Sequence, residues 1–286
     1  MAEKYGTAFA KIEVRLALFR IVERARLKHV SPAAGKGQPV DSTYLLAATA
    51  GAYLLAGFVK GVIGLGLPTV AIGLLGLMMT PAQAAAILVV PSLVTNIWQF
   101  AMGGELIALA RRMAPMLAGI SVGTLIGAVF LPTASGGHAP FWLGVALAIY
   151  AGFGLIKMEF KVPPRAEIWL GPLIGVLTGA ATVATGVFVL PGVPYIQALQ
   201  FDRDRLVQAL GLSFTVSTVT LALALAHAGE MKMPMAWPSL VALGTALIGM
   251  VVGQVVRGRV KPETFRVFFF LGLLVLGAHL MLREFL

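Results

Sequence analysis

The chain has 286 residues, of which 58% are hydrophobic and only 12% are charged, and its mean hydropathy is +0.90. Soluble domains carry about 25% charged residues, so this composition excludes a soluble globular protein and indicates a membrane protein. The net charge is +10. The basic residues lie at the N-terminus and in short loops, which is typical of membrane topology rather than of nucleic-acid binding. There is no cysteine, so disulfides and thiolate metal sites are excluded.

Residues 1–42 form a basic N-terminal extension without a long apolar run. A cleavable signal peptide is therefore not predicted. Phe9, Ile12, Leu16, Phe19 and Val22 recur at helical spacing, which fits an amphipathic helix on an anionic inner leaflet. A mobile basic leader, or an over-extended start of the reading frame, is the alternative interpretation. We expect the N-terminus to be cytoplasmic.

Long apolar runs fill the rest of the chain. A helix that crosses a bilayer needs roughly 20 such residues, within a range of about 17–25. The sequence therefore predicts an all-α, polytopic membrane protein. The runs are 43–59, 61–79, 82–102, 113–131, 141–156, 169–190, 206–226, 237–256 and 267–282.

These runs form two similar halves, 43–156 and 169–286, joined by a basic loop at 157–168. Each half has a G-x-x-x-G motif, then a small-residue stretch, a helix with a small polar cluster, a second G-x-x-x-G motif and a plain apolar segment. Any one match is weak because G-x-x-x-G is common where membrane helices pack, but four matches in the same order, followed in each half by the plain apolar segment, indicate a duplicated unit. The first-half motifs are Gly57/Gly61 and Gly123/Gly127 around Ser92, Thr95 and Asn96; the second-half motifs are Gly175/Gly179 and Gly249/Gly253 around Ser213, Thr215 and Ser217.

Each half opens with a glycine-broken element that is too long for one straight span and short for two. A discontinuous or re-entrant helix gives about eight crossings, whereas two full spans give ten crossings and inverted halves. The positive-inside rule favours eight, because it puts most basic loops inside together with the N-terminus. Its exception is the group Arg257, Arg259 and Lys261, which then falls outside.

The stretch GFVKGVIGLGLP, residues 57–68, places four glycines, a proline and Lys60 inside an apolar region. Irregular backbone is tolerated within a membrane only where it is buried or lines a cavity. Broken helices aim N-terminal N–H groups, with roughly half a positive charge, into the gap, which favours an anion. Two such elements could meet near the membrane midplane, as in many secondary transporters.

Lys60 is the one charged residue deep within a long apolar run. A lysine at the bilayer centre costs about 2.5–3.5 kcal/mol, so it usually faces a cavity or a partner. The alternative is that residues 43–79 form a full hairpin and Lys60 is a loop residue in water.

The predicted substrate site combines backbone at the breaks with hydroxyl and amide side chains from both halves. Such side chains can donate to an oxyanion, but they can also bond across helices, at about 0.6 kcal/mol each, or to carbonyls of their own helix, as Thr178, Thr182 and Thr185 could. His279 and the G-x-x-x-G motifs are expected to be structural. The site residues predicted are Lys60, Gly61, Gly64, Gly66, Thr69, Ser92, Asn96, Gln99, Thr182, Thr185, Gly186, Ser213 and Ser217.

The G-x-x-x-G-x-x-G-x-G opening from Gly57 to Gly66, its weaker copy at Gly175 and the repeated four-segment unit resemble the TauE/SafE family of sulfite and sulfonate exporters. The resemblance covers about residues 43–283. Typical members carry a GxGGG-like run in both halves, whereas this chain has GLGLP in the first and keeps only Gly186 in the second. The resemblance implies a bacterial inner-membrane permease for small sulfur-containing anions such as sulfite, sulfoacetate or other organosulfonates. It leaves the choice among these anions and the direction of transport open, and we expect export.

Other functional classes fit less well. The spans contain no HExxH motif and no aspartate pair, so an enzyme is not expected, and neither is a metal or other cofactor. There is no nucleotide-binding loop, which favours secondary transport, with the anion and membrane lipids as partners and no nucleic acid. A carrier of another small organic anion, or an oligomeric anion channel, is the alternative; proton coupling and a homo-oligomer are left open.

Overall fold

The computed structural model describes residues 42–101, 104, 106–131, 134–156, 161–231, 236–259 and 261–285, and every regular element within them is an α-helix. The predicted N-terminal extension lies outside the described residues except for Ser42. The helices are α1 (Ser42–Ile63), α2 (Leu67–Leu75), α3 (Pro81–Ala101), α4 (Leu106–Phe130), α5 (Ala139–Ile156), α6 (Pro164–Thr185), α7 (Gly192–Ala198), α8 (Arg203–His227), α9 (Ala236–Arg257) and α10 (Pro262–Leu282).

Eight of these helices, all except α2 and α7, have apolar spans of 18 to 25 residues. At 1.5 Å per residue they cover the roughly 30 Å of a bilayer core, which confirms the predicted polytopic all-α class and its eight long spans. Large apolar side chains point outward along them, and all four tryptophans lie exposed near helix ends, as in the aromatic belts of membrane proteins. These tryptophans are Trp98, Trp142, Trp169 and Trp237.

A glycine-containing break follows the first helix of each half. Gly64 and Gly66 adopt φ angles of +80° and +106°, and Gly186 adopts +77°, a region that side chains with a Cβ rarely enter. A short helix of nine residues, α2, or seven residues, α7, then follows. The glycines thus end the long helices where the sequence predicted a broken element.

Contacts between helix ends show the direction in which each helix runs. We call the end at which α4, α6, α8 and α10 begin the basic end, after the arginines and lysines found there. Contacts grouped at the basic end are Lys60–Asn96, Gln208–Phe100, Arg112–Glu167, Arg266–Gly154 and Val162–Ala198. Contacts grouped at the opposite end are Ala82–Ala134, Ala134–Val183, Ser135–Glu230 and Arg283–Leu77.

Helices α1 and α3 therefore both run toward the basic end, and residues 64–80 carry the chain back between them. Residues 186–202 do the same in the reverse direction between α6 and α8. The two halves consequently run antiparallel, and the chain passes between the ends ten times: eight times through long helices and twice through the broken segments. A re-entrant segment would instead return to the end from which it started. Arg257 and Lys261 now share an end with Arg112, which removes the exception noted from the sequence.

The closest helix contacts join one half to the other. A Cβ added to Gly57 would lie 2.1 Å from the carbonyl oxygen of Ala246, and one added to Gly249 would lie 2.1 Å from that of Leu54. Helices α1 and α9 can therefore touch backbone to backbone only because both motifs lack side chains, as in other small-residue interfaces. Gly249 and Gly253 have the structural role that was predicted for them.

Helices α4 and α6 pack in the same way. Gly175 and Gly179 of α6 face α4, but the glycines of α4 that meet them are Gly119 and Gly123, with Cβ positions 2.4 and 2.2 Å from carbonyl oxygens of α6. Gly127 has only looser neighbours, at 3.3 Å or more. The packing motif of α4 thus begins one turn earlier than the predicted Gly123/Gly127 pair.

We expect Gly249→Ala to destabilise the protein by about 1–3 kcal/mol, because the new methyl group overlaps backbone of α1 that cannot move independently. The matched control is Gly244→Ala on the same helix, where nothing lies within 4 Å. Alanine favours a helix by about 1 kcal/mol over glycine, so the control should be neutral or stabilising. Thermal unfolding of both purified variants in detergent measures the difference. Equal melting temperatures would show that α1 and α9 are not held by this contact.

Candidate functional site

Lys60 lies in the last turn of α1, directly before the break, and its side chain is buried, with a relative exposure of 4%. Its ammonium group donates to Thr95 Oγ1 at 3.1 Å and to Asn96 Oδ1, both on α3. The alternative in which Lys60 is a loop residue in water is therefore wrong. The helix continues to Ile63 because the glycines that break it come after Lys60.

A chain of hydrogen bonds leads from Lys60 to the second half of the protein. Asn96 Nδ2 donates to Ser92 Oγ at 2.8 Å, and Ser92 Oγ lies 3.0 Å from Thr218 Oγ1 on α8. Thr95 donates its own proton to the carbonyl oxygen of Pro91 at 2.7 Å, so its oxygen is free to accept from Lys60. This set, Lys60, Ser92, Thr95, Asn96 and Thr218, is called the Lys60 cluster below.

The Lys60 cluster contains a positive charge and no negative one. None of the ion pairs found among the described residues involves Lys60. An ammonium group has three N–H donors, of which the cluster uses two. A buried charge is costly unless it is paired, so one donor and the charge itself remain available for an anionic ligand.

Gln99 was predicted to contact substrate, but its amide group holds the backbone instead. Nε2 donates to the carbonyl oxygen of Gly64 at 3.1 Å and to that of Val207 at 2.8 Å. Gln99 thereby ties the first break to the start of α8. Thr69 likewise donates to the carbonyl oxygen of Gly66 at 2.9 Å. Both side chains fix the path of the break.

Gly61 lies at the interface between α1 and α9 rather than in the Lys60 cluster. A Cβ at this position would lie 2.3 Å from the carbonyl oxygen of Met250. Its absence permits close packing, so the structure gives Gly61 a packing role in place of the predicted one.

The second break does not meet the first. Gly186 packs against Ile72, Pro81 and Ala85, toward the opposite end of the bundle, whereas Gly64 packs near Val207 at the basic end. The predicted joint cradle is therefore not formed in the described residues. The physical reason is the inversion of the halves, since each break follows the C-terminal end of a helix and the two helices point in opposite directions.

The threonines of α6 donate to carbonyl oxygens within their own helix. Thr182 bonds to Thr178 and Thr185 bonds to Ala181, each at 2.7 Å. This is the local pattern that the sequence left open as the alternative to ligand binding. The structure does not bring Thr182, Thr185 or Gly186 to the Lys60 cluster.

Ser213 and Ser217 lie on α8, on the stretch that carries Thr218, and both are buried. The hydroxyl of Ser217 has no hydrogen-bond partner in the described part of the protein, so it is a further donor near the junction of the halves. Thr95 and Thr218 were not among the predicted site residues. Their hydroxyl groups are visible in the sequence, but their pairing with Lys60 and Ser92 depends on which helices meet.

A cavity of about 600 Å³ opens at the basic end and is lined in part by Val62, Ile63 and Leu65, which follow Lys60 in the chain. A second cavity of about 480 Å³ lies at the opposite end, between the end of α2, the start of α3 and the start of α5. The first cavity uses the end of α7, the start of α8 and the start of α10. The two cavities thus use corresponding elements of the two halves.

One sequence pattern needs a structural explanation. Residues 119–123 read G-x-S-x-G, the pattern of a nucleophile elbow, which requires a strand-to-helix turn. Here both glycines pack against α6 in the middle of α4, and Ser121 donates to the carbonyl oxygen of Leu117 at 3.1 Å. The pattern serves helix packing and has no catalytic geometry.

Comparison with known proteins identifies the family. The family model described as sulfite exporter TauE/SafE matches residues 49–280, almost the whole range over which the sequence resembles that family. No curated protein and no solved structure matches the chain. With most of its length covered by the family model and eight long apolar helices around a buried cationic cluster, the chain belongs to the TauE/SafE family of sulfite exporters, which are membrane transporters and not enzymes.

Proposed function

We propose that the protein is a secondary transporter that exports small sulfur-containing anions, such as sulfite, sulfoacetate or other organosulfonates, by alternating access across the bacterial inner membrane. The observation that carries this proposal is Lys60, a buried cation without a carboxylate partner among the described residues. Family membership supplies the sulfur-anion class, and the Lys60 cluster supplies a place to bind it.

The chemistry of the Lys60 cluster suits a sulfite or sulfonate group. Such a group has a negative charge and three oxygens that accept hydrogen bonds. The third N–H of Lys60 and the hydroxyl of Ser217 are donors that the described residues leave unused. Charge-assisted hydrogen bonds of this kind are the stronger class, and burial strengthens them further because little water screens the charge.

The arrangement of cavities supports alternating access. One cavity lies at each end of the bundle, and the two cavities use corresponding elements from inverted halves. A rocking motion that closes one cavity can therefore open the other by the same movement. Gln99 links the break at Gly64 to α8 of the other half, so a movement of one half is transmitted to the other.

We expect Lys60→Met and Lys60→Gln to weaken binding of sulfur anions strongly, because both remove the charge of the Lys60 cluster, while glutamine keeps a donor for Thr95 and Asn96. Thermal unfolding in detergent with sulfite, sulfate, thiosulfate, sulfoacetate, taurine, acetate and chloride measures this. A ligand at about 100 times its Kd adds about 2.7 kcal/mol to the native state.

The matched control is Lys161→Met, which removes an exposed lysine in the loop before α6. It should respond like the unmodified protein. If the folded Lys60 variants respond as strongly as the control, Lys60 does not bind the substrate. If the protein in liposomes transports a carboxylate with saturable kinetics but transports no sulfur anion, the proposed substrate class is wrong.

We further propose that the basic end faces the cytoplasm. Positively charged loops concentrate on that side of bacterial membrane proteins, and the basic residues of the described loops and helix ends lie almost entirely at this end. The expectation of a cytoplasmic N-terminus assumed that α1 begins at the same end as these loops, whereas the structure starts α1 at the opposite end. The described basic residues at the basic end are Arg111, Arg112, Lys161, Arg165, Arg203, Arg205, Arg257, Arg259, Lys261 and Arg266.

Single cysteines in this cysteine-free chain test the orientation. A membrane-impermeant thiol reagent applied to intact cells should label Gly137→Cys and Thr43→Cys but not Gly258→Cys, because the first two positions lie at the opposite end and the third at the basic end. Gly137 and Gly258 form a matched pair, since neither has an atom within 4 Å of its added Cβ. The basic N-terminal extension favours the other orientation, in which the N-terminus is cytoplasmic. Labelling of Gly258→Cys but not of Gly137→Cys or Thr43→Cys would show that the protein inserts in that orientation.

A further inference from the structure

Three arginines face the cavity at the basic end. Arg203 is the first residue of α8, Arg257 is the last residue of α9, and Arg266 lies in the second turn of α10. Glu263 is the single carboxylate among the residues that line this cavity. The lining therefore has an excess of positive charge, built from three helices that are distant in sequence.

One of these arginines has a buried donor without a partner among the described residues, and another is held by a backbone carbonyl oxygen. The Nε atom of Arg257 is buried and has no hydrogen-bond partner in the described part of the protein. Arg266 donates from Nε and Nη2 to the carbonyl oxygen of Gly154, at 3.2 and 2.7 Å. Its Nη1 atom does not take part in this contact. A guanidinium group carries five N–H donors, so both side chains can donate into the cavity.

The positive charges also oppose one another. Arg203 lies close enough to Arg257 to repel it, and Asp204, which attracts Arg257, does not line the cavity. An anion placed between the guanidinium groups would relieve this repulsion and accept hydrogen bonds from their N–H groups. Arginine is well suited to this task because its planar fork matches the geometry of oxyanions.

We propose that this cavity, lined by Arg203, Arg257 and Arg266, is a second anion site that captures a free sulfite or sulfonate before it reaches Lys60. The proposal rests on the transport function proposed above. The cavity lining includes Val62 and Ile63, two and three residues after Lys60 on α1, so the proposed second site and the buried lysine share the last turn of that helix. A cationic cleft raises the local concentration of anions and their rate of entry.

The cavity at the opposite end has no such excess of positive charge. Arg283 and Glu284 line it together, and Arg283 donates to the carbonyl oxygen of Leu77 at 2.6 Å. The two ends thus differ in electrostatics although they use corresponding helices. Capture of anions is therefore stronger from the basic end, which agrees with export if that end is cytoplasmic.

Calorimetric titration of the detergent-purified protein with sulfite tests the second site, with Lys60→Met as the background that removes the first. The Lys60→Met protein should still bind sulfite, more weakly at high ionic strength. Adding Arg257→Gln, or separately Arg203→Gln, should weaken this residual binding by about fivefold or more, as expected for the loss of a partly exposed charge contact. Arg203→Gln is included because the Arg203 side chain is exposed, so its replacement leaves the packing of the helices intact.

Arg259→Gln is the matched control, since it removes an exposed charge two residues from Arg257 that does not line the cavity. Equal affinities in the Arg257→Gln, Arg203→Gln and Arg259→Gln proteins would overturn the proposal, as would a Lys60→Met protein that binds no sulfite. Stabilisation by an anionic phospholipid, with none by sulfite, would assign the arginines to a lipid headgroup and also overturn it. Transport of sulfur anions is measured separately. If the wild-type protein transports none, the proposed transport function is wrong. If it transports them but the arginine variants keep their affinity for sulfite, only the second site is wrong.

Discussion

The close backbone contact between helices of opposite halves is the constraint on which the rest of the structure depends. Helix α1 runs parallel to α9 and α4 runs parallel to α6, and in both pairs glycines let the backbones touch. Because apolar side chains gain nothing by leaving lipid for a protein interface, membrane helices associate through such packing and through hydrogen bonds. The pairing joins the halves in an antiparallel arrangement, which in turn puts one glycine break and one cavity toward each end.

The Lys60 cluster shows how a charge can be tolerated within this packing. Insertion of lysine at the bilayer centre costs about 2.5–3.5 kcal/mol, and two hydrogen bonds that Lys60 donates to α3 offset part of that cost. A structural role alone would be served as well by an apolar side chain, because buried ion pairs and charges seldom add net stability. The retained charge is therefore better explained by a ligand that shares it, and the sulfur anions of the family provide one.

The two cavities differ in charge, and this difference distinguishes the two ends of the inverted fold. The two halves run antiparallel and use corresponding elements at opposite ends, so differences between the two ends depend on their side chains. Here three arginines line one cavity, while an arginine and a glutamate line the other. The same asymmetry follows from the membrane, since positive residues concentrate on the cytoplasmic side. In the proposed orientation, with the proposed second anion site, topology and substrate capture depend on the same arginines.

The sequence by itself determined the features that follow from local chemistry. Runs of about 20 apolar residues determine membrane spans, glycine determines where the backbone can turn, and a lone lysine in an apolar run identifies the residue at the centre of the candidate site. Only the tertiary structure decided how these parts are used. It placed Gln99 on the backbone of the break, turned Thr182 and Thr185 toward their own helix, separated the two breaks, and brought Thr218 to Ser92 and three distant arginines to one cavity. These outcomes depend on which helices meet and in which direction, and a pattern within one segment carries no information about the partner across the bundle.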